Sequence, residues 1–76
     1  MLMVRISTQG RDKVELGSGY LPQGYDTEEA AKAHIAELQQ LYDLSGYDGR
    51  EARWWARNAS ATYEITYWWL EYPAGE

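Results

Sequence analysis

Few side chains in this 76-residue chain are suited to catalysis or to metal binding. It has one histidine, His34, and no cysteine, which excludes Cys–His catalysis and the common zinc sites. A general base needs a positioned partner, and no residue spacing supplies one for His34. Because His34 lies three residues after Ala31 and four before Leu38, we expect it at the edge of a core. The sequence therefore predicts a non-enzyme with no cofactor and no metal.

The whole chain has a formal net charge of -5, and its acidic side chains are concentrated in the middle. Residues 14–49 carry seven acids and only Lys32, whereas residues 1–13 and 50–57 are each net basic. One interpretation is a solvated surface that keeps a small protein soluble. The other is a carboxylate array that docks on a basic partner, with tyrosines as contact anchors. The candidate partner-binding residues are Asp26, Glu28, Glu29, Glu37, Asp43, Asp48, Tyr25 and Tyr47.

All eleven aromatic residues are Tyr or Trp, types that are enriched at interfaces. An alternative binding face combines Arg53, Trp55 and Arg57 on one strand with Trp68 from the next. Cross-strand charge and cation–π pairing explains these residues within the fold. The same face is also suited to stacking nucleobases. The negative net charge argues against direct nucleic-acid binding, and equally against an anionic membrane.

One helix is predicted over residues 27–44. Asp26 and Glu29 have the spacing of a capping box at its start. A buried stripe follows at helical spacing, and Gly46 is placed to end the helix. The stripe comprises Ala31, His34, Ile35, Leu38, Leu41 and Tyr42.

Strands are predicted on both sides of the helix from alternating apolar and polar residues and from β-branched and aromatic content. Gly17, Ser18 and Gly19 are interpreted as part of a connecting loop. Residues 51–57 also fit a helical period, but a strand is favoured because residues 58–61 make a short turn. The fold prediction is a single α+β domain over residues 1–76, a four-stranded antiparallel sheet in β-β-α-β-β order with the helix on one face. The predicted strands span residues 2–8, 12–16, 51–58 and 62–72.

The predicted location is the cytoplasm of a bacterial host. The absence of cysteine suits a reducing compartment. No stretch approaches 18 apolar residues, and the first residues lack the basic segment and apolar stretch of a signal peptide. The edges of an open sheet can pair with another chain, so the choice between monomer and homodimer stays open.

In size, acidity, lack of cysteine and one-helix-on-a-sheet layout, the whole chain resembles the small acidic proteins of bacteriophages, among them the anti-CRISPR proteins. The resemblance rests on these properties and not on a motif. It implies a non-catalytic inhibitor that binds a CRISPR surveillance complex, or a similar nucleic-acid-binding defence complex, and blocks its access to target DNA. Two alternatives stay open: a small host protein-interaction module, and a single-stranded nucleic-acid binder that uses the Arg53, Trp55 and Arg57 face.

Overall fold

The protein folds as one antiparallel sheet with a helix on one face. The computed structural model describes residues 2–60 and 63–72, and within them the sheet has five strands and the order β2-β1-β5-β4-β3. The predicted α+β class, with one helix on an antiparallel sheet, is confirmed. The elements are β1 (Met3–Gln9), β2 (Glu15–Tyr20), α1 (Glu28–Gln39), β3 (Leu44–Asp48), β4 (Arg53–Arg57) and β5 (Ile65–Glu71).

The sheet has five strands and not the predicted four in β-β-α-β-β order, because β3 lies between the helix and β4 in the chain. The helix ends at Gln39, five residues before the predicted end. The Gln39 side-chain amide donates hydrogen bonds to the carbonyl oxygens of Gly46 and Trp55, at 2.9 and 3.0 Å. These bonds tie the end of α1 to β3 and β4. Leu41, expected in the buried stripe, is 76% exposed, and Gly46 lies inside a strand instead of ending the helix.

The second strand also differs from its prediction, since β2 includes the Gly17, Ser18 and Gly19 segment that was expected to be a loop. Gly17 pairs with Thr8 and Gly19 with Ile6, so these glycines contribute backbone hydrogen bonds to an edge strand. The predicted spans 2–8, 51–58 and 62–72 overlap β1, β4 and β5 and differ at their ends by up to three residues. Residues 61 and 62, and the predicted domain's residues 1 and 73–76, lie outside the described residues.

The core lies between the sheet and the helix. Alternation along β1, β4 and β5 directs Val4, Ala56 and Trp68 toward α1, which contributes Ala31 and Ile35. Each of these five residues is almost fully buried, and burying large apolar side chains is the main stabilising term in folding. Because the core occupies only this side of the sheet, the opposite face stays open.

The helix start differs from the predicted capping box. The Thr27 hydroxyl, not the Asp26 carboxylate, accepts a hydrogen bond from the Ala30 backbone N–H at 3.1 Å. Thr27 has the extended backbone of an N-cap residue. It therefore satisfies one of the N–H groups that have no partner within the helix.

We predict that Thr27→Ala lowers the free energy of unfolding by about 0.5–2 kcal/mol, because it removes this cap. Urea denaturation followed by circular dichroism measures the change. Asp26→Ala is the matched control and should cost less than the Thr27 variant. A larger loss for the Asp26 variant would restore the original capping assignment.

A second pair of variants tests the core. Ile35→Ala removes a fully buried side chain, so we expect a loss of about 2–5 kcal/mol in the free energy of unfolding. Leu41→Ala alters an exposed side chain and should stay within about 0.5 kcal/mol of the parent. Equal losses in thermal or urea unfolding would contradict the early end of the helix.

Candidate functional site

The sheet separates two surfaces of different chemistry. The first, the acidic helix face, consists of the exposed Asp26, Glu28, Glu29 and Glu37 on the helix side. Within residues 2–60 and 63–72 the one ion pair joins Arg53 to Asp48, so it uses none of these four carboxylates. The predicted acidic array is thus reduced to four residues at and along α1, beside the single cation Lys32.

A shallow groove of about 230 Å³ borders the acidic helix face. Tyr47, which is 55% exposed, packs its ring against Trp54 with 4.9 Å between ring centroids. Desolvation and, secondarily, the nearby Glu28 carboxylate raise the pKa of Tyr72. Of the two predicted tyrosine anchors, the structure places Tyr47 beside the acidic residues. The groove is lined by Glu28, Lys32, Tyr47, Ala52, Trp54, Leu70 and Tyr72.

The other tyrosine and two of the acids do not belong to this surface. Tyr25 is only 4% exposed, its hydroxyl shares a hydrogen bond with Nδ1 of His34, and desolvation raises its pKa. It is therefore a core residue. The Asp43 carboxylate accepts a hydrogen bond from the Ala59 N–H at 2.9 Å and so holds a loop.

Asp48 lies on the opposite side of the sheet from the helix, because it pairs across the strands with Arg53. Its carboxylate accepts hydrogen bonds from the N–H groups of Arg50 and Glu51. This geometry is that of a turn between β3 and β4, with the carboxylate turned inward to the local backbone. The sequence placed Asp48 with the helix acids because strand β3 was not foreseen.

The second surface is the sheet face that α1 does not cover. Register puts Arg5 opposite Trp69 and Tyr67 opposite Trp55, and directly opposed residues share a face. These partly buried side chains alternate with the core residues of the same strands. We call this surface the arginine–aromatic face, after Arg5, Tyr20, Arg53, Trp55, Arg57, Tyr67 and Trp69. The register also places three acids on it, so that its arginines and acids are equal in number: Glu15, Asp48 and Glu71.

The arginines of this face contact its tyrosines through cation–π interactions. The Arg53 guanidinium lies 3.8 Å from the Tyr67 ring centroid, and that of Arg5 lies 4.9 Å from the Tyr20 ring centroid. Such contacts hold long cationic side chains over the sheet. Arg53 Nε is buried and 3.8 Å from Asp48 Oδ2, a separation too long for a hydrogen bond. A shallow cleft of about 230 Å³ is lined by Arg53, Trp69 and Glu51.

Of the alternative face predicted from sequence, the structure places Arg53, Trp55 and Arg57 together on one side of the sheet and Trp68 on the other. Trp68 is 1% exposed and packs under the helix, with Tyr42 edge-on at 5.8 Å. The residue directly opposite Trp55 on the neighbouring strand is Tyr67. The alternation of residues 62–70 separates Tyr67 and Trp69 from Trp68, but the register that joins them to Trp55 and Arg5 is a tertiary property.

The Trp55 ring occupies space on this face that is free because Gly46 has no side chain. A Cβ atom added at Gly46, its cross-strand partner, would lie 2.9 Å from atoms of the indole ring. The ring thus lies directly over the backbone of Gly46, and a residue with a Cβ atom at that position would leave too little room for it. Gly46 has a packing role on the arginine–aromatic face, in place of the predicted helix-ending role.

The described residues contain no group of three or more His, Cys, Asp or Glu side chains arranged to hold a metal ion. No helix within the same residues has the length and apolar content needed to cross a membrane. Comparison with protein-family models, with curated proteins and with solved structures gives no match. The functional argument therefore rests on the two surfaces themselves.

We predict that Gly46→Ala lowers the free energy of unfolding by about 1–3 kcal/mol, since the new methyl group overlaps the Trp55 ring. Gly17→Ala is the matched control in the other edge strand, because a Cβ there meets nothing within 4 Å. Urea unfolding of both variants measures the difference. Equal stability of the two variants would show that Trp55 does not lie on Gly46.

Proposed function

We propose that this protein is a non-catalytic inhibitor that docks its acidic helix face on a basic, nucleic-acid-binding surface of a bacterial defence complex. A CRISPR surveillance complex is the target that the resemblance to anti-CRISPR proteins suggests. Docking there blocks access of the complex to target DNA. The protein acts by occupying the surface and not by a chemical reaction.

The supporting observation is the cluster of exposed acids on the helix side of the sheet. Asp26, Glu28, Glu29 and Glu37 are exposed on the helix side, while Arg5, Arg53 and Arg57 belong to the opposite face. The helix-side acids are thus not neutralised by the arginines. A surface with one sign of charge steers association with a partner of the other sign and disfavours wrong partners.

The groove beside Glu28 adds a contact that charge alone does not provide. Tyr47 and Trp54 present a pair of packed rings next to the carboxylates, and Tyr72 is exposed on the same groove. Buried aromatic anchors carry much of the energy in protein interfaces, whereas rim charges chiefly set the association rate. In this proposal the carboxylates orient the approach and the aromatic groove holds the partner.

The test is a combined charge reversal, because single exposed charges have small effects. A variant with Glu28→Lys, Glu29→Lys and Glu37→Lys should abolish inhibition of DNA binding by a purified CRISPR surveillance complex. Electrophoretic mobility shift of labelled target DNA measures inhibition, and circular dichroism confirms folding. We expect the parent protein to inhibit at the same concentration.

The matched control reverses three exposed acids outside the acidic helix face. Asp12→Lys, Glu51→Lys and Glu64→Lys together change the net charge by the same amount. This control should inhibit like the parent. If the helix variant folds and inhibits fully, or if both variants lose inhibition equally, the acidic helix face is not the docking surface.

A further inference from the structure

Strand β2 lies at one end of the sheet, and within the described residues no strand pairs with its outer side. The Leu21 backbone N–H donates a hydrogen bond to the Val4 carbonyl oxygen at 2.9 Å. Backbone groups that bond toward a neighbour alternate along an antiparallel strand. Gly19, two residues before Leu21, therefore bonds toward β1, whereas the N–H and C=O groups of Ser18 and Tyr20 point away from it. These groups are open to another strand.

The side chains along this edge leave the open backbone accessible. Natural sheets often shield an edge with lysine or proline, and β2 contains neither. Leu16 and Tyr20 are 57% and 49% exposed. The one irregularity of the ladder is a bulge at Leu16, which has no partner residue on β1. A Cβ atom added at Gly17 or Gly19 would meet nothing within 4 Å, so this part of the edge is apolar and unobstructed.

We infer that β2 is a homodimer interface, at which two copies of the chain pair their β2 strands antiparallel around a two-fold axis at Ser18. A two-fold interface uses the same patch on both copies, so Ser18 faces itself and its N–H and C=O bond those of the second copy. Leu16 then lies opposite Tyr20 of the second copy, and Gly17 lies opposite Gly19. Cross-strand pairs of aromatic and aliphatic side chains stabilise a sheet. The two five-stranded sheets become one continuous sheet.

The charges carried by β1 and β2 favour a second copy as the occupant. These strands carry only Arg5 and Glu15. The Arg5 guanidinium donates to the Ser18 hydroxyl at 3.2 Å and lies 4.9 Å from the Tyr20 ring centroid, so it extends over β2 toward the edge. Because Tyr20 faces Leu16 of the second copy, Arg5 comes beside that copy's next residue, Glu15. Opposite charges therefore attract twice across the axis, and no like charges of these strands oppose each other.

The other edge strand, β3, is less suited to pairing with itself. Its Tyr47 ring already packs against Trp54 within the fold. An axis at Gly46 would set the exposed Leu44 opposite the Asp48 carboxylate of the second copy. Pairing of β2 with β3 of another copy is a head-to-tail contact, which continues into an open filament. The self-complementary β2 edge instead closes after two copies.

The proposed axis is perpendicular to the sheet, because residues opposed across it project their side chains to the same face. Both helices therefore lie on the same side of the dimer, and both acidic helix faces are available to one partner. The inference does not rest on the proposed function, since the pairing uses the backbone and side chains of β2 and none of the helix carboxylates.

The experiment is sedimentation velocity of the intact protein from 1 to 500 μM in 150 mM NaCl, where the net charges of the two copies are screened. We expect a reversible shift from the mass of one chain to twice that mass, because a single strand pair makes a small interface. A monomer at every concentration, or growth beyond two copies into filaments, would overturn the inference.

Variants at Ser18 test the backbone pairing. Ser18→Pro removes the outward N–H on the axis and no hydrogen bond of the β1–β2 ladder, since proline is tolerated in an edge strand where the N–H faces solvent. It should be a monomer at 500 μM. Ser18→Ala is the matched control, because it loses the hydroxyl but keeps the N–H, and its dimer dissociation constant should stay within twofold of the parent. Dimerisation of a folded Ser18→Pro variant like the parent would contradict the proposed pairing.

A second pair of variants compares the two edges through exposed leucines, whose replacement leaves the core intact. Leu16→Lys places a cation opposite Tyr20 and beside Arg5 of the second copy, and should weaken dimerisation at least tenfold. Leu44→Lys makes the same change on β3 and should alter dimerisation less than twofold. Equal losses, or a loss in Leu44→Lys alone, would remove β2 as the interface.

A cross-link locates the axis. The chain has no cysteine, so Ser18→Cys introduces a single thiol. In a hydrogen-bonded antiparallel pair the Cα atoms are about 5.5 Å apart, within the range of a disulfide. In Leu16→Cys, the matched control, the two thiols lie roughly 13 Å apart along the strands. On mild oxidation we expect a disulfide dimer of Ser18→Cys on non-reducing gels and little of Leu16→Cys. Equal cross-linking of both variants would contradict an axis at residue 18.

Discussion

The pairing of β1 with β5 is the contact on which the rest of the structure depends. Seven residue pairs, from Met3 with Glu71 to Gln9 with Ile65, join strands that are far apart in sequence. Once formed, this ladder leaves β2 to extend the sheet on one side and β4 with β3 on the other. It also places Val4 and Trp68 on the same face, where α1 covers them with Ala31 and Ile35.

The same ladder determines the chemistry of the opposite face. Because side chains alternate along a strand, the register that buries Val4 and Trp68 necessarily directs Arg5 and Trp69 outward. A slip of one residue would bury an arginine and expose the core. The strand register thus orients the side chains of the arginine–aromatic face, and Gly46 additionally makes room for the Trp55 ring.

The two surfaces illustrate how strand pairing brings together charges that are distant along the chain. The basic segments 1–13 and 50–57 are separated by an acidic segment along the chain, yet β1 and β4 both flank β5. Arg5, Arg53 and Arg57 therefore share one face. The acids Glu15, Asp48 and Glu71 lie on the same face, and the helix side carries further exposed acids.

Sequence alone determined the local elements whose residues repeat clearly. The helical spacing of Ala31 and Ile35 predicted their burial, and the alternation of residues 63–70 predicted which side chains of β5 share a face. Tertiary structure decided the rest. Strand β3 and residues 17–20 of β2 belong to edge strands held by backbone pairing, so their side chains carry little apolar periodicity to reveal them. Three placements depend on strand register and long-range pairing, which arise only when residues distant in the chain meet. Tyr25 is buried, the Asp48 carboxylate accepts a hydrogen bond from a backbone N–H of its own turn, and Tyr67 instead of Trp68 lies opposite Trp55.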